Sequence, residues 1–447
     1  MALKDLVTEL WPLHRTLVSD GTDEALEIIG RHMPDESEYS IETYPAGEPA
    51  WTWRVPERYV VHEAYLEIEG GERIADFSDN VLHLVSYSLP VDKSLSWEEL
   101  EPHLHYSEKR PKAIPWEFKY YERSWGFCLS KEVFDRLPRD MRYRAVIRSE
   151  FLTGPGQGMR LSVATIHPEG GPAREAGEFI VCAHVCHPNQ ANDDISGVAT
   201  AIEVARRLAA RPLPPGAMSV RFLFCPETIG SICYLSHHEE LIPNLRGGIF
   251  CEMTGNRNTL VLQRTRQDRH VLDSVSRHVL KKRVGEFRED AFRKVIANDE
   301  FVINGPGVNV PCVSLSRWPY DEYHTSDDNP DIIFEDMLSE AADVAEEITR
   351  LYASNYVPRR TFRGPVFLSG YGLWVDWREN PGLNRALDEI MLRLEGDRTV
   401  FDIAVELDLP FDDVRRYVDR LRDAGLVEVL PVSACVASPT EERSPWL

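Results

Sequence analysis

Short apolar runs alternate with stretches of helical periodicity over residues 143–353 of this 447-residue chain. Four of the runs look like buried strands: EFIVCAH (178–184), SVRFLFC (219–225), GGIFCE (247–252) and VPCVSLS (310–316). Each is followed by apolar residues three and four positions apart, as in ISGVATAIEVARRLAAR (195–211), which is the periodicity of an amphipathic helix. This alternation predicts a three-layer α/β/α core with a mostly parallel sheet between two layers of helices.

The pattern differs before and after this region. Two helices are predicted within the first forty residues, from apolar positions such as Leu6, Leu10 and Ile28. Residues 46–129 carry short alternating, aromatic-rich runs, which predict a small β-rich domain inserted into an α/β domain of residues 1–45 and 130–358. Three short helical patterns and a strand predict a winged helix over residues 363–431, followed by a polar tail of residues 432–447.

The charge of the chain argues against nucleic acid as a partner. The formal net charge is −23, so a general affinity for phosphate backbones or anionic lipid is not expected. The winged-helix segment is itself acidic, because residues 381–431 hold twelve Asp or Glu and seven Arg, a net charge of −5. A DNA-binding surface should be basic, so we expect a structural or protein-contact role for this segment.

The N-terminal segment, the lengths of the apolar runs and the cysteines together predict a cytoplasmic location. The first residues, MALKDLVTELWPLHRTLVSDG, lack the apolar core of a signal peptide, and no run is long enough to span a bilayer. The eight cysteines include no C-x-x-C pair and lie mostly in apolar runs, which favours buried free thiols. Cys186 adjoins a histidine, but neighbours along a strand point in opposite directions, so we interpret it as a packing residue.

Polar side chains follow four of the predicted strands. His184, His187, Asp193 and Asp194 follow the first, Glu227 the second, Glu252 the third, and His324 lies in the loop RWPYDEYHTSDD after the fourth. Ligands of parallel sheets gather at the carboxyl ends of the strands, so these residues should meet at one edge. Histidine and carboxylate without paired thiolates suit zinc or a similar divalent ion, and Glu227 is placed to act as general base.

Each residue also has a structural interpretation. Asn192 or Asp193 could cap the helix that begins near Ile195, and a carboxylate there could both cap and bind metal. His184 could be a hydrogen-bonded core histidine, and Glu252 could belong to an ion pair. The convergence of all of them at one edge favours a metal-dependent hydrolase over these separate explanations.

The series AH, ANDDISG, PETIGS, CEMTG and EYHTSDD resembles the di-zinc aminopeptidases and the related glutaminyl cyclases. Together with the insert stretches LHLVSYSLP and YYERSWGFC and the C-terminal helices, it resembles more closely a group of bacterial aminopeptidase-like proteins met in polysaccharide or natural-product gene neighbourhoods. The resemblance implies a zinc-peptidase core, a metal-bridging Asp, a Glu general base and a final His ligand.

Two positions depart from the family pattern. Thr228 follows Glu227 where the di-zinc enzymes have a second Glu, and Asn192 stands where an ungapped comparison expects the bridging Asp. We therefore expect one zinc ion held by His187, Asp193 and His324, with Glu227 as general base. His184 and Glu252 would then orient ligands or contact substrate; alternatively they bind a second ion together with Asp193.

The expected activity is hydrolysis of a peptide or amide bond in a small peptide or aminoacyl-amide. Arg317 could bind a substrate carboxylate, and Trp318, Tyr320 and Tyr323 could line the pocket. Two alternatives stay open: cyclisation or acyl transfer on the same fold, and a ligand-binding regulator that signals through the winged helix. A homo-oligomer is also compatible with the sequence, since the aromatic insert could form a dimer contact.

Overall fold

The central feature of the computed structural model, which describes residues 2–173 and 175–432, is an eight-stranded sheet. Its four middle strands pair in parallel, and antiparallel pairs flank them. The prediction of a mostly parallel sheet is confirmed. In spatial order the strands are Ser40–Tyr44, Met159–Ile166, Ser219–Cys225, Glu178–His184, Leu245–Cys251, Cys312–Ser316, Val261–Gln263 and Arg288–Asp290.

Side chains of the middle strands alternate between two cores, one on each face of the sheet. In strand Glu178–His184, Phe179 and Val181 join one core, whereas Ile180 and Cys182 join the other. Because both faces are buried, the strands are apolar throughout, as the continuous runs in the sequence predict. The first face is covered by the helices Leu3–Leu10, Asp20–His32, Ser196–Ala210, Val271–Arg283 and Glu335–Ala353.

The second face is covered by two shorter helices, Ile229–His237 and Asp299–Ile303, and by a four-stranded antiparallel sheet. That sheet has the order Arg73–Asp76, Arg58–Ile68, Tyr143–Leu152 and Val91–Leu95. The pairing of Tyr143–Leu152 with Arg58–Ile68 carries the β-rich unit beyond the boundary predicted at residue 129. Smaller elements of this region are the strands Pro49–Ala50, Trp53–Arg54, Leu104–His105 and Phe127–Cys128, and the helices Trp97–Leu100 and Lys131–Phe134.

Three helices and a strand follow the α/β core near the C-terminus and have an apolar core of their own. The helices are Pro381–Met391, Val400–Glu406 and Phe411–Asp423, and strand Val427–Leu430 pairs antiparallel with Val357–Arg360. This is the element order predicted from the sequence, whereas the name winged helix and its role stay predictions. The predicted tail, from residue 433 on and including Cys435, lies outside the described residues.

No helix among residues 2–173 and 175–432 is long and apolar enough to cross a membrane. The seven cysteines in the same ranges are buried and unpaired, as their apolar surroundings predict.

Candidate metal centre

The parallel register brings the carboxyl ends of three strands level with one another. His184 ends its strand opposite Cys225, and Glu227 follows Cys225 by two residues. Glu252 directly follows the strand Leu245–Cys251 on the other side. His324 reaches the same edge from the loop after strand Cys312–Ser316. The edge predicted from the strand ends therefore exists, and it holds both imidazoles and carboxylates.

Among the described residues, four sets of three side chains bring their donor atoms within 4.8 Å of one another; two of these sets contain only histidine and carboxylate, and Asp193 belongs to both. The first set is His187, Asp193 and His324, in which Nε2 of His324 lies 3.0 Å from Oδ2 of Asp193. The second is His184, Asp193 and Glu252, in which Nε2 of His184 lies 3.4 Å from Oδ1 of Asp193 and 3.6 Å from Oε2 of Glu252. The sharing of Asp193 is the arrangement a bridging ligand requires.

Several donor atoms of these sets are buried and unpaired within the described residues. Both ring nitrogens of His184, Nδ1 of His187 and Oε1 of Glu252 have no hydrogen-bond partner there. Burying a polar atom without a partner costs free energy, so atoms of this kind point to a missing one. Burial also lowers the pKa of His184 to about 4, which keeps the imidazole neutral, the form that binds metal. The residues present therefore fit a zinc ion in donor type and burial.

Two buried carboxyl groups of the centre, Asp194 and Glu252, have raised pKa values. Burial, and then the neighbouring Asp193, raises the pKa of Asp194 well above its usual range. Burial, followed by the charges of Asp194 and Asp193, does the same to Glu252. A cation beside these groups would offset the charge repulsion that adds to burial in raising both pKa values.

Glu227 is the most accessible carboxylate of the group, with 30% of its side chain exposed, and its Oε2 lies 3.3 Å from Nε2 of His187. Burial alone would raise its pKa, but the hydrogen bond and charge of His187 outweigh this and lower it. The backbone N–H of Glu227 donates to Sγ of Cys186 at 3.0 Å. Burial raises the pKa of the Cys186 thiol, so it is a neutral packing residue beneath Glu227.

Asp194 and Asn192 hold the backbone of the turn. Oδ1 of Asp194 accepts from the N–H groups of Gly197 and Met253, and Oδ2 accepts from that of His184, at 3.1–3.2 Å. Oδ1 of Asn192 accepts from the N–H of Gly255 at 2.9 Å. Both side chains therefore join the first strand end to neighbouring loops. The helix cap considered for Asn192 or Asp193 is not found, because the N-cap of helix Ser196–Ala210 is Ile195 and has no side-chain cap hydrogen bond.

The residues predicted to contact substrate divide into two groups. Arg317 is 3% exposed, and its guanidinium nitrogens donate to the carbonyls of Thr254 and Asn258 and to Glu340, so all three are already bonded within the protein. Substrate binding by Arg317 stays a prediction. The hydroxyl of Tyr320 donates to Oδ2 of Asp328 at 2.6 Å, which makes it a support for the loop.

Tyr323 is better placed than either to meet substrate. It is half-buried, and its ring stacks on that of His324 with centroids 3.7 Å apart. Burial, followed by the charge of Asp193, raises its pKa, so it stays a neutral hydroxyl. Trp318 packs edge-on against Tyr323 at 4.7 Å.

Two residues that support the loop after His184 (residues 185–193), here called the metal loop, were not identified from the sequence. Asp328 accepts the N–H groups of Ala191, Asn192 and Asp193 at 2.6–3.2 Å. Arg15, fully buried, donates to the carbonyls of Val185 and Gln190 at 2.8 and 3.1 Å. Asp328 stands in the quoted EYHTSDD motif, whereas no local pattern marks Arg15.

The β-rich unit also reaches the metal centre, through Trp116 and Tyr120. The Trp116 ring lies edge-on to His187 at 4.4 Å and to His324 at 4.6 Å. The hydroxyl of Tyr120 is buried with no partner among the described residues. Burial, followed by the neighbouring Cys186 and Glu227, raises its pKa well above the usual range, which keeps it protonated. The aromatic richness of the insert was the one signal in the sequence for these contacts.

Comparisons with known proteins agree with this geometry. Residues 4–355 match a family model described as a domain of unknown function (DUF4910). A Clostridium acetobutylicum protein provisionally named a polysaccharide biosynthesis protein with an aminopeptidase-like domain is 29% identical over 437 residues, which cover 95% of this chain and 96% of that one. A crystal structure from the same organism, provisionally described as a peptidase, is 28% identical with a TM-score of 0.79 and covers 96% of both chains.

More distant similarity supports the fold alone. A zinc aminopeptidase from Bacillus subtilis is 15% identical with a TM-score of 0.58, covering 77% of this chain and 92% of that one. A peptidase M28 precursor from Shewanella amazonensis is 13% identical with a TM-score of 0.55, covering 78% and 92%. The chain thus belongs to the DUF4910 family and has the zinc-aminopeptidase fold that the resemblance implied.

Proposed function

We propose that this protein is a zinc-dependent hydrolase of the aminopeptidase type that cleaves a peptide or amide bond, with Glu227 as general base. The observation that carries the proposal is the pair of ligand sets that share Asp193, with Glu227 at their exposed side. Histidine and carboxylate ligands around an accessible position are the features of a catalytic zinc site. The fold shared with zinc aminopeptidases gives independent support.

We further propose two zinc ions, rather than the single ion expected from the sequence. With only the first set occupied, His184 and Glu252 would keep buried atoms without partners. The absence of a second Glu at Thr228 does not prevent a second site, because His187 supplies a donor beside Asp193 and His324. Two ions also offset the repulsion among the buried carboxylates.

A bound zinc ion would polarise the scissile carbonyl and make water acidic enough to lose a proton near neutral pH. Glu227 then takes that proton, since its carboxylate is partly exposed and lies beside His187. The hydroxide attacks the carbonyl carbon, and Glu227 returns the proton to the nitrogen as the C–N bond breaks. Tyr120 offers its unpartnered hydroxyl to the carbonyl oxygen of the substrate, where negative charge develops.

The substrate enters where the centre is open, beside Glu227, His324 and Tyr323. Phe118 of the insert packs against Trp116 with centroids 5.0 Å apart and is 42% exposed, so the rim on that side is aromatic. An apolar or flat group next to the scissile bond suits this rim. The name of the C. acetobutylicum relative makes N-acylated amino sugars reasonable test compounds beside aminoacyl-amides and short peptides.

Zinc content and turnover test the proposal together. We expect about two zinc ions per chain by mass spectrometry under metal-replete conditions, and about one in Glu252→Ala or His324→Ala. Glu227→Gln should retain the zinc and lose hydrolysis, because only the base is removed. His62→Ala, which removes a half-exposed histidine paired with Glu150, is the matched control and should behave as wild type.

Product analysis distinguishes the reaction types. Addition of water to the substrate mass supports hydrolysis, whereas loss of ammonia supports cyclisation. Less than one zinc ion per chain under metal-replete conditions would exclude the proposed centre.

A further inference from the structure

A segment of the insert, residues 110–116, is paired with the loop that carries His324. Pro115 and Thr325 form an antiparallel bridge. The backbone N–H of Ile114 donates to Oγ of Ser326 at 3.0 Å, and the N–H of Ser326 donates to the carbonyl of Ile114 at 2.8 Å. This two-sided pairing joins regions about two hundred residues apart, so the loop conformation depends on the insert.

Arg110 closes the pairing at its other end. Its Nε donates to Oδ2 of Asp327 at 2.7 Å, and Nη1 lies 3.7 Å from Oε1 of Glu322. With 28% of the Arg110 side chain exposed, this ion pair is partly screened by solvent and contributes less than the backbone pairing.

The backbone of Trp116 fixes His324 itself. The N–H of Trp116 donates to the carbonyl of His324 at 2.8 Å. His324 has φ of +55°, a left-handed conformation that residues other than glycine adopt at an energetic cost. A residue keeps such a conformation when contacts from the surrounding structure stabilise it, and the hydrogen bond from Trp116 is one of these contacts.

The side chain of Trp116 contacts two proposed ligands from different parts of the fold. Its ring is 3% exposed, its indole N–H donates to Oγ of Ser86 at 3.2 Å, and its plane makes angles of 77° with His187 and 76° with His324. Metal-binding histidines are ordinarily oriented by a hydrogen bond from the second nitrogen. With Nδ1 of His187, which has no hydrogen-bond partner in the described chain, left for the metal, Nε2 lies 3.3 Å from Oε2 of Glu227. The Trp116 ring adds a second contact that restricts the orientation of this imidazole.

We propose that Trp116 is a positioning residue that orients His187 and His324 for metal binding, so that the insert completes the metal centre. The inference rests on the proposed function, because it concerns the ligands of the proposed zinc site. It assigns to the β-rich unit a task that neither the fold family nor the strand-end residues supply.

Zinc affinity, measured by competition with a chromogenic chelator, tests the inference on the full chain. We expect Trp116→Ala to weaken zinc binding roughly 10- to 100-fold, the effect of losing an orienting contact, and Trp116→Phe to weaken it less. The visible absorption bands of the cobalt-substituted protein should also shift in Trp116→Ala, since they report the geometry of the ligands. Trp97→Ala is the matched control, because Trp97 is a buried insert tryptophan (4% exposed) that packs on Phe134 and Tyr143, away from the ligands.

The possible outcomes separate the two proposals. If wild type binds no zinc, the proposed function fails. If wild type binds zinc and Trp116→Ala matches it in affinity and cobalt spectrum, only the role of Trp116 is overturned. The same conclusion follows if Trp97→Ala weakens binding as much as Trp116→Ala does, because the effect would then reflect the stability of the insert. Should Trp116→Ala fail to fold, the Trp116→Phe spectrum and affinity decide.

Discussion

Replacing Asp328 by alanine should destabilise the protein strongly, because this carboxylate supports the backbone of the metal loop. Its oxygens accept from Asn192 N–H at 2.6 Å, from Asp193 N–H at 3.2 Å and from the Tyr320 hydroxyl at 2.6 Å. Ala191 N–H keeps a second acceptor, the Asp328 carbonyl at 3.0 Å, so two buried backbone donors lose their partners. At about 2 kcal/mol for each unpaired donor, the loss is about 4 kcal/mol.

Urea unfolding of Asp328→Ala, Asp328→Asn and Tyr320→Phe measures this loss. We expect Asp328→Asn to cost about half as much, since one oxygen still accepts while the amide NH2 faces Asp193 N–H. Tyr320→Phe should cost about 1 kcal/mol, the value of one hydrogen bond, with the KM unchanged. A free energy of unfolding for Asp328→Ala within about 1 kcal/mol of wild type would refute the reasoning. A raised KM in Tyr320→Phe would instead support the prediction from the sequence that Tyr320 contacts substrate.

Three further predictions concern other parts of the molecule. Burial lowers the pKa of His270 to about 4, and its Nδ1 accepts Leu272 N–H at a helix start, so its stabilising contribution is complete above pH 6.5 and is lost as the pH falls towards 4. That loss is about 3 kcal/mol, because lowering a pKa from 6.5 to about 4 corresponds to about 1.36 kcal/mol per tenfold change in proton affinity. Urea unfolding of His270→Asn, whose cap does not titrate, should lack this pH dependence, and an equal pH dependence in both proteins would contradict the prediction. Gly197→Ala should lower the free energy of unfolding by about 1–3 kcal/mol in the same assay and weaken zinc binding. The reason is that a Cβ at this position would lie 2.1 Å from the carbonyl oxygen of Cys251 and 2.4 Å from Oδ1 of Asp194. Wild-type values for both measurements would contradict the prediction. Tyr120→Phe should keep zinc and stability but lower kcat/KM roughly 10- to 100-fold, the value of a hydrogen bond to a charged group, and unchanged kinetics would remove Tyr120 from the site.

The α/β core and the strand-end residues could be predicted because both depend on local sequence. Alternation and helical periodicity identify the strands, and the carboxyl ends of parallel strands meet whatever the loops do. His184, Glu227 and Glu252 follow from that rule alone. Arg317 also follows a strand, but its guanidinium turns towards Thr254 and Asn258, because the direction of a side chain after a strand is set by the loops it meets. The position of a residue along the chain therefore predicted whether it lies at the carboxyl edge of the sheet, but not whether its side chain faces the metal centre.

The supports of the centre could not be predicted because they join distant parts of the chain. Arg15 binds the loop after His184 from the segment between the first two helices, and Trp116 contacts His187 and His324 from the insert. Neither contact leaves a spacing pattern in the sequence, since each depends on how separate units pack. The family model covers residues 4–355, the same stretch that contains Arg15, Trp116, the strand-end ligands and Asp328, and it ends before the three C-terminal helices. The unit that carries the proposed chemistry is therefore the α/β core and its insert together, because the core contains the proposed ligands, Asp328 and Arg15, whereas Trp116 comes from the insert.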